Sequence, residues 1–205
     1  VETLTIDNTE ALTATLDAQA AEAGIVTVTL TDDGGIDTVT IKSGFTNDLT
    51  VSLDDDTVVD VINATGYTKK LKVTASTADL ITSAHVITGG SGTTDEIEYT
   101  ATADETIDLS AVTAIETITL KTDTLSDHTT TLTTADAMNA SAAITIDATN
   151  LDGDLLIFSA ANEDDGTYTI KTAGTGAMSI TLGSKNDTID ALNGTGTDAS
   201  GVHTV

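Results

Sequence analysis

The chain has 205 residues, of which 33 are Asp or Glu and 7 are Lys, so its formal charge is −26; it contains no Arg, Cys, Pro or Trp. A chain this acidic and without Arg cannot neutralise phosphates, which argues against nucleic acid as a partner. Its apolar runs are only a few residues long, so no membrane span is expected. It does not begin with a positively charged segment followed by an apolar stretch, so no signal peptide is expected in this sequence.

The hydropathy pattern predicts an all-β protein. Hydrophobic residues make up 39% of the chain, and most of them are aliphatic residues that alternate with Thr, Asp and Ser. Threonine alone accounts for 45 of the 205 residues. Alternation with period two, rich in β-branched residues, is typical of half-buried strands. With only two Phe and three Tyr, we expect a narrow core of stacked aliphatic side chains.

In chain order, the first elements are a strand at residues 1–6 and a short helix or helical turn near residues 10–24. Leu12, Leu16, Ala20 and Ala23 fall on one helical face of this Ala-rich segment, and Gly24 follows as a stop signal. The corresponding stretch later in the chain, residues 134–143, is a weaker helix former and is expected to be a loop.

A short internal repeat follows the helical segment. Residues 43–51 (SGFTNDLTV) resemble residues 65–73 (TGYTKKLKV), 22 positions later, and residues 149–157 (TNLDGDLLI) resemble both. Each copy has a turn residue, a large apolar residue, a polar turn and a strand. The repeat predicts that the following apolar residues point inward and stack in ladders: Leu49, Val51, Leu71, Val73, Leu155 and Ile157.

A repeat of about twenty residues with Gly, Asn and Asp corners predicts a parallel β-solenoid of the β-helix or β-roll type, whose coils must stack to cover their apolar faces. Tandem β-sandwich domains are the alternative, since they repeat at about 100 residues. A longer self-similarity relates residues 1–6 to residues 115–120 and residues 14–30 to residues 130–146. We therefore divide the chain into a first solenoid module, 1–114, and a second, incomplete module of the same continuous solenoid, 115–205. Because the chain starts and stops inside a repeat, we expect a longer repetitive protein.

The sharpest local motif is GSKNDTID at residues 183–190, with NGTGTD at residues 193–198 and GGSGTTD at residues 89–95 as further copies. It resembles the GGxGxDxUx nonapeptide of the RTX family of calcium-binding β-rolls, in which turn carbonyls and the motif Asp bind Ca²⁺ between coils. The match is incomplete, because Leu182 and Lys185 occupy two of the glycine positions. The resemblance implies Ca²⁺ as cofactor and these candidate ligand positions: Asp187, Asp190, Asp198, Asn186, Asp95, Gly183, Gly194 and Gly196.

The residue chemistry supports this independently, because Ca²⁺ takes six to eight hard oxygens from carboxylates and turn carbonyls, and Gly or Asn permits such turns. The competing interpretation is that these Asp residues cap backbone amides at ordinary corners. The acidic groups at residues 32–33, 54–56 and 163–165 are better explained as solvated loops.

No enzyme is predicted. His85, His128 and His203 share no metal-ligand spacing, and neither a GxSxG nucleophile elbow nor a phosphate-binding glycine loop occurs. The many Thr-x-Thr pairs place two hydroxyl groups on one side of a strand. A regular Thr ladder resembles that of certain ice-binding domains, but the pairs here are irregularly spaced along the chain.

In its Thr-, Ala- and Asp-rich composition and its short recurring phrases, the sequence is similar to bacterial S-layer and RTX-type surface proteins. This resemblance implies a secreted, extracellular protein at the cell surface, exported by a type I route and stabilised by calcium. We therefore expect a structural, self-assembling subunit of a lattice or filament whose main partner is further copies of itself. Cell-surface polysaccharide is a second candidate partner. Residues 69–72, with three of the seven lysines, are the best candidate for docking another copy's acidic surface; a solvated basic strand edge is the alternative. The alternatives are a calcium-dependent adhesin stalk and the non-catalytic C-terminal part of a secreted enzyme.

Overall fold

A computed structural model of the chain describes residues 2–7, 10–31, 35–53, 60–76, 85–122, 128–134, 143–151, 153–162, 164, 166–172 and 177–191. Within these residues the protein consists of short β-strands and one helix of five residues. The elements in chain order are β1 Glu2–Ile6, β2 Thr13–Leu16, α1 Ala18–Glu22, β3 Ile25–Leu30, β4 Thr38–Ile41, β5 Leu49–Ser52, β6 Val61–Asn63, β7 Leu71–Ser76, β8 Val86–Thr88, β9 Glu96–Ala101, β10 Glu105–Asp108, β11 Val112–Thr113, β12 Thr117–Thr122, β13 Thr129–Thr133, β14 Ala143–Asn150, β15 Leu155–Ser159, β16 Thr167–Thr172, β17 Met178–Thr181 and β18 Thr188–Ala191.

The strands form three parallel sheets. Sheet A contains nine strands in the order β1-β3-β5-β7-β9-β12-β14-β16-β18, sheet B contains β2, β4, β6, β8 and β11, and sheet C contains β10, β13, β15 and β17. Neighbours in a sheet are separated by at least one strand of another sheet, as in a chain that winds in successive coils. The fold is therefore a β-solenoid, and the alternative of tandem β-sandwiches, which are built from antiparallel strands, is wrong.

The coils change their cross-section midway along the solenoid. Before β9 each coil visits sheet A and then sheet B, and after β12 each coil visits sheet A and then sheet C. The stretch between β9 and β12 visits both, because β10 joins sheet C and β11 joins sheet B. Sheet A runs without interruption through this stretch, which contains the predicted boundary between residues 114 and 115.

A continuous column of aliphatic side chains runs through the interior of sheet A, because alternate residues of each strand point inward. Register places one aliphatic residue of every strand in this column, and the seven central members are at most 1% exposed. The column runs Leu4, Val28, Val51, Val73, Ile97, Ile118, Ile146, Ile170, Ile189. The predicted core of stacked aliphatics is thus confirmed.

All five aromatic side chains are buried. Phe45 and Tyr67 occupy equivalent corners of adjacent coils, with ring centroids 6.0 Å apart, and Phe158 packs edge-on against Tyr168 at 5.3 Å. Leu49, Val51, Leu71 and Val73, which follow the first two of these corners, are buried as predicted.

The third repeat copy was assigned in the wrong register. In β15, Leu156 and Phe158 are buried whereas Leu155 and Ile157 are only partly buried, so the inward prediction for the latter two is wrong. The corner at residues 151–154 leads from sheet A into sheet C, whereas the corners of the first two copies lead from sheet B into sheet A. A shift of one residue exchanges the two faces of a strand.

The short helix predicted within residues 10–24 is present as α1, in the second half of that stretch. Residues 13–16 form β2, and only α1 is helical, with the side chain of Asp17 accepting hydrogen bonds from the amides of Gln19 and Ala20. Pairing of β2 with β4 outweighs the helical preference of these residues. The corresponding later stretch, residues 134–143, lies largely outside the described residues.

Candidate functional site

Acidic and histidine residues recur at one structural position, directly before a strand. Eight of them accept a hydrogen bond from a backbone amide of a neighbouring coil, 19 to 26 residues away in sequence. They are Asp37, Asp48, His85, Asp95, Asp104, Glu116, Asp154 and Asp187. Such bonds satisfy backbone amides at the corners that have no partner in the hydrogen-bond ladders of the sheets. Within the described residues, seven acidic side chains therefore join one coil to the next.

Asp95, a predicted calcium ligand, is fully buried at such a corner. Its Oδ1 accepts the amide of Leu71 at 2.8 Å, its Oδ2 accepts the amide of Gly90 at 2.6 Å, and its own amide donates to Glu116 Oε2 at 2.8 Å. Burial raises the pKa of the Asp95 carboxyl, and the two amide hydrogen bonds and Lys70 oppose that shift. Both carboxylate oxygens are thus engaged by the protein.

The glycines of the same motif are explained by the close approach of neighbouring coils. A Cβ at Gly89 would lie 1.7 Å from the carbonyl oxygen of Ala114, and one at Gly90 would lie 2.4 Å from that of Tyr67. Any larger residue at either position would collide with the backbone of the adjacent coil. The GGSGTTD phrase is therefore accounted for as an inter-coil corner, the competing interpretation of the sequence motif.

Asp187, the central residue of the sharpest motif, occupies the equivalent corner before β18. Its Oδ1 accepts the amide of Tyr168 at 2.8 Å, while its Oδ2 is buried and has no hydrogen-bond partner in the part of the chain that the structure describes. Asn186 beside it is exposed and Gly183 is partly buried. An unsatisfied buried carboxylate oxygen is a group that a cation would stabilise.

The structure does not bring the other predicted ligands to Asp187. Asp190 lies three residues further along the extended chain, about 10 Å away, and is exposed on the outer face of sheet A, where it is in register with Lys171. Asp198, Gly194 and Gly196 lie outside the described residues. Among the residues that the structure describes, no three His, Asp or Glu side chains are grouped so as to hold a metal ion. Calcium binding at residues 183–198 stays a prediction, and the Asp187 Oδ2 atom is the one observation that fits it.

A buried polar column that was not predicted precedes the strands of sheet B. Asp37, Asp60 and His85 stand at equivalent positions before β4, β6 and β8, with exposed fractions of 0%, 3% and 4%. His85 Nδ1 accepts the amide of Asp60 at 3.1 Å and lies 3.9 Å from Asp60 Oδ2. Burial lowers the pKa of His85, which keeps the imidazole neutral and able to accept this bond. Their spacing of about 25 residues was the signal available in the sequence.

The lysines of residues 69–72 are largely neutralised within the chain. Lys70 Nζ lies 2.6 Å from Glu96 Oε2, Lys72 Nζ lies 2.7 Å from Glu98 Oε2, and Lys121 Nζ lies 2.6 Å from the same Glu98 oxygen. The Glu98 pairs lie on the outer face of sheet A, across β7, β9 and β12, and Lys70 directly precedes β7. Lys70 and Lys72 are thus already paired, which weakens the case for residues 69–72 as a docking site.

In the described part of the chain, no helix has both the length and the apolar character needed to cross a bilayer. Comparisons with protein-family models, with curated proteins and with solved structures found no match to this chain.

Proposed function

We propose that this chain is a structural, non-catalytic, self-assembling part of an extracellular surface protein, a lattice or filament subunit that calcium stabilises. The observation that carries this proposal is the geometry of the two outer strands of sheet A. Within the described residues, β1 pairs only with β3 and β18 pairs only with β16. Each outer strand therefore has a free hydrogen-bonding edge in that part of the structure, and such edges readily accept another strand.

The interior column favours continuation beyond both outer strands. Its end members, Leu4 and Ile189, are partly exposed, whereas Val28 and Ile170 next to them are 0% exposed. A further coil in register, from the same protein or from another copy, would bury both end members. In a copy-to-copy contact, Thr188 and Ile189 of one copy would stack on Thr3 and Leu4 of the next. Such a heterologous contact does not close and generates a filament.

Calcium is included because the chain carries 26 excess negative charges and because Asp187 Oδ2 is buried without a partner among the described residues. A cation bound at this corner would be held by the Asp187 carboxylate and would offset repulsion between neighbouring carboxylates. Binding to the folded state alone stabilises it by linkage. Cell-surface polysaccharide is retained as a second partner. Since every aromatic is buried, such recognition would depend on hydroxyl and carboxylate groups.

The test is sedimentation of the chain in calcium, with Leu4→Asp as the variant and Ile36→Asp as its control. Leu4 lies at the end of the column, and Ile36 is 53% exposed away from it, so both variants should fold. We expect the parent and Ile36→Asp to form large species and Leu4→Asp to remain small. If the parent sediments as a monomer in calcium, the adhesin stalk or the enzyme-associated segment would replace this proposal.

A further inference from the structure

Acidic residues recur at one position of sheet A, and there they bind the coil before them. In four strands the residue one place before the same register position is acidic: Glu2, Asp95, Glu116 and Asp187. Three of them accept, at 2.8 Å, the amide of the residue that holds this position in the preceding coil: Asp95 from Leu71, Glu116 from Asp95, and Asp187 from Tyr168. A carboxylate at this position therefore fastens its own coil to the coil before it.

Glu2 is the fourth member of this set, and it lies on β1, in the first described coil. It is exposed, and its carboxylate makes no hydrogen bond or ion pair within the part of the chain that the structure describes. The coil that would supply its amide donor is not among the described coils. A coil placed on the free edge of β1 in the register of sheet A would supply that donor.

The copy-to-copy contact proposed above provides such a coil. When Thr188 of one copy stacks on Thr3 of the next, the residues directly before them, Asp187 and Glu2, come to lie on neighbouring strands about 4.8 Å apart. Within the chain, the amide of Asp187 donates to the carbonyl of Lys185, two residues back, at 3.0 Å. In the contact it would donate to Glu2 instead, as the other three donors do. The contact would also bring the two carboxylates together.

The stacked pair Asp95 and Glu116 shows that neighbouring carboxylates at this position are not neutral in their effect. Burial raises the pKa of both carboxyl groups, and the charge of Asp95 adds to the rise at Glu116, while amide hydrogen bonds, and Lys70 at Asp95, oppose it. Asp187 has less compensation, because its Oδ2 is buried without a hydrogen-bond partner among the described residues. Two charged carboxylates at this spacing repel each other.

The lysines nearby do not balance this pair. Lys171 is in register with Asp190, and Lys185 supplies one positive charge against the two carboxylates. A divalent cation between them would remove the repulsion and satisfy the buried oxygen of Asp187. On the basis of the proposed function, we infer that Asp187 of one copy docks against Glu2 of the next, and that a divalent cation held by these two carboxylates closes the contact.

The experiment measures sedimentation of the full chain at neutral pH, in Ca²⁺ and in excess EGTA, for the parent and for variants of equal net charge. Glu2→Gln removes the charge and keeps an oxygen that can accept the amide. Glu22→Gln is the matched control, because Glu22 is also exposed, lies on α1 near the same end of the solenoid, and makes no side-chain contact of this kind in the described residues. Far-ultraviolet circular dichroism verifies that the variants fold.

We expect the parent and Glu22→Gln to assemble in Ca²⁺ and to dissociate in EGTA. Glu2→Gln should assemble in EGTA as well, at a concentration at least about tenfold below that which the parent needs there, because only one carboxylate remains in the contact. Glu2→Ala, which removes the acceptor too, should assemble less well than Glu2→Gln in EGTA.

The inference is overturned if the parent assembles in Ca²⁺ and Glu2→Gln depends on Ca²⁺ as strongly as Glu22→Gln does; the proposed self-assembly would then stand without it. Equal assembly of Glu2→Ala and Glu2→Gln would overturn the hydrogen bond from the Asp187 amide. A parent that stays monomeric in Ca²⁺ would contradict both the inference and the proposed function.

Discussion

Asp95 accepts the backbone amide of Leu71, one coil away, at 2.8 Å, and it does so from a fully buried position. This contact joins two coils through a side chain rather than through the sheet ladder. Replacing Asp95 by Ala would leave the amides of Leu71 and Gly90 unsatisfied in the interior. We expect a loss of about 3 kcal/mol in the free energy of unfolding, measured by urea denaturation.

Asp48→Ala is the control for this corner. Asp48 also accepts an amide, that of Lys70 at 3.2 Å, but its side chain is exposed, so water can replace it and the loss should stay below about 1 kcal/mol. Equal losses in the two variants would show that burial of the corner does not matter. Both measurements are made in excess chelator, so that any calcium effect is kept apart.

Two adjacent leucines test the register of β15. Leu156 is 1% exposed, whereas Leu155 is partly exposed on the outer side of the same strand. Leu156→Asp would bury an unpaired charge and should cost more than about 4 kcal/mol, while Leu155→Asp should cost about 1 kcal/mol. Thermal unfolding of both variants measures the difference. The opposite order would restore the register assigned from the sequence repeat.

The register of β15 shows which features of the fold could be predicted from the sequence and which could not. Alternation was enough to identify the strands, because period two is a local property, and the repeat of about twenty residues identified the solenoid and the inward residues after Phe45 and Tyr67. Local sequence does not determine which sheet the chain enters after a corner. The corner at residues 151–154 resembles the earlier corners in sequence but leads into a different sheet. Predicted ligands such as Asp95 were located at corners, but an Asp that binds an amide and an Asp that binds a cation share the same sequence signal.

The buried His85 predicts that the free energy of unfolding depends on pH below neutrality. Burial lowers its pKa below the ordinary value of 6.5, so the unfolded chain binds this proton more readily than the folded one. Stability is therefore complete above pH 6.5 and decreases as the pH falls through the window between 6.5 and the lower folded value. Protonated Nδ1 also can no longer accept the Asp60 amide.

The measurement is the free energy of unfolding against pH for the parent and for His85→Asn, whose carboxamide oxygen can accept the same amide. The difference between the two curves isolates His85 from the carboxylates, including Asp95 and Glu116, whose pKa values are raised mainly by burial. We expect the parent to lose stability relative to the variant as the pH falls. Parallel curves would refute the assignment to His85.

Glu98 predicts a dependence of the same sign in a more acidic window. Burial acts to raise its pKa, but hydrogen bonds and charge from Lys121 and Lys72 outweigh it, so the pKa lies below 4.5. The stabilisation is therefore present above pH 4.5 and is lost as the pH falls through the folded value. Since the two lysine side chains are 29% and 39% exposed, we expect Glu98→Gln to cost only about 1 kcal/mol at neutral pH.

The cost of Glu98→Gln should decrease in high salt and disappear in acid, because both conditions remove the ion pairs. Asp147→Asn, two strands from Glu98 at the same register position of sheet A, is the control and should show a smaller salt dependence. A penalty for Glu98→Gln that is unchanged by salt and by pH would mean that packing, not charge, holds Glu98 in place.

Negative-stain electron microscopy of the chain, with calcium and after its removal by chelator, tests the central claim most directly. If the chain is a calcium-stabilised assembling subunit, the images should show filaments or sheets in calcium and separate particles in chelator. Calcium, but not sodium at equal ionic strength, should restore the assemblies. Separate particles under all these conditions would contradict self-assembly, and identical assemblies with and without chelator would contradict the role of calcium.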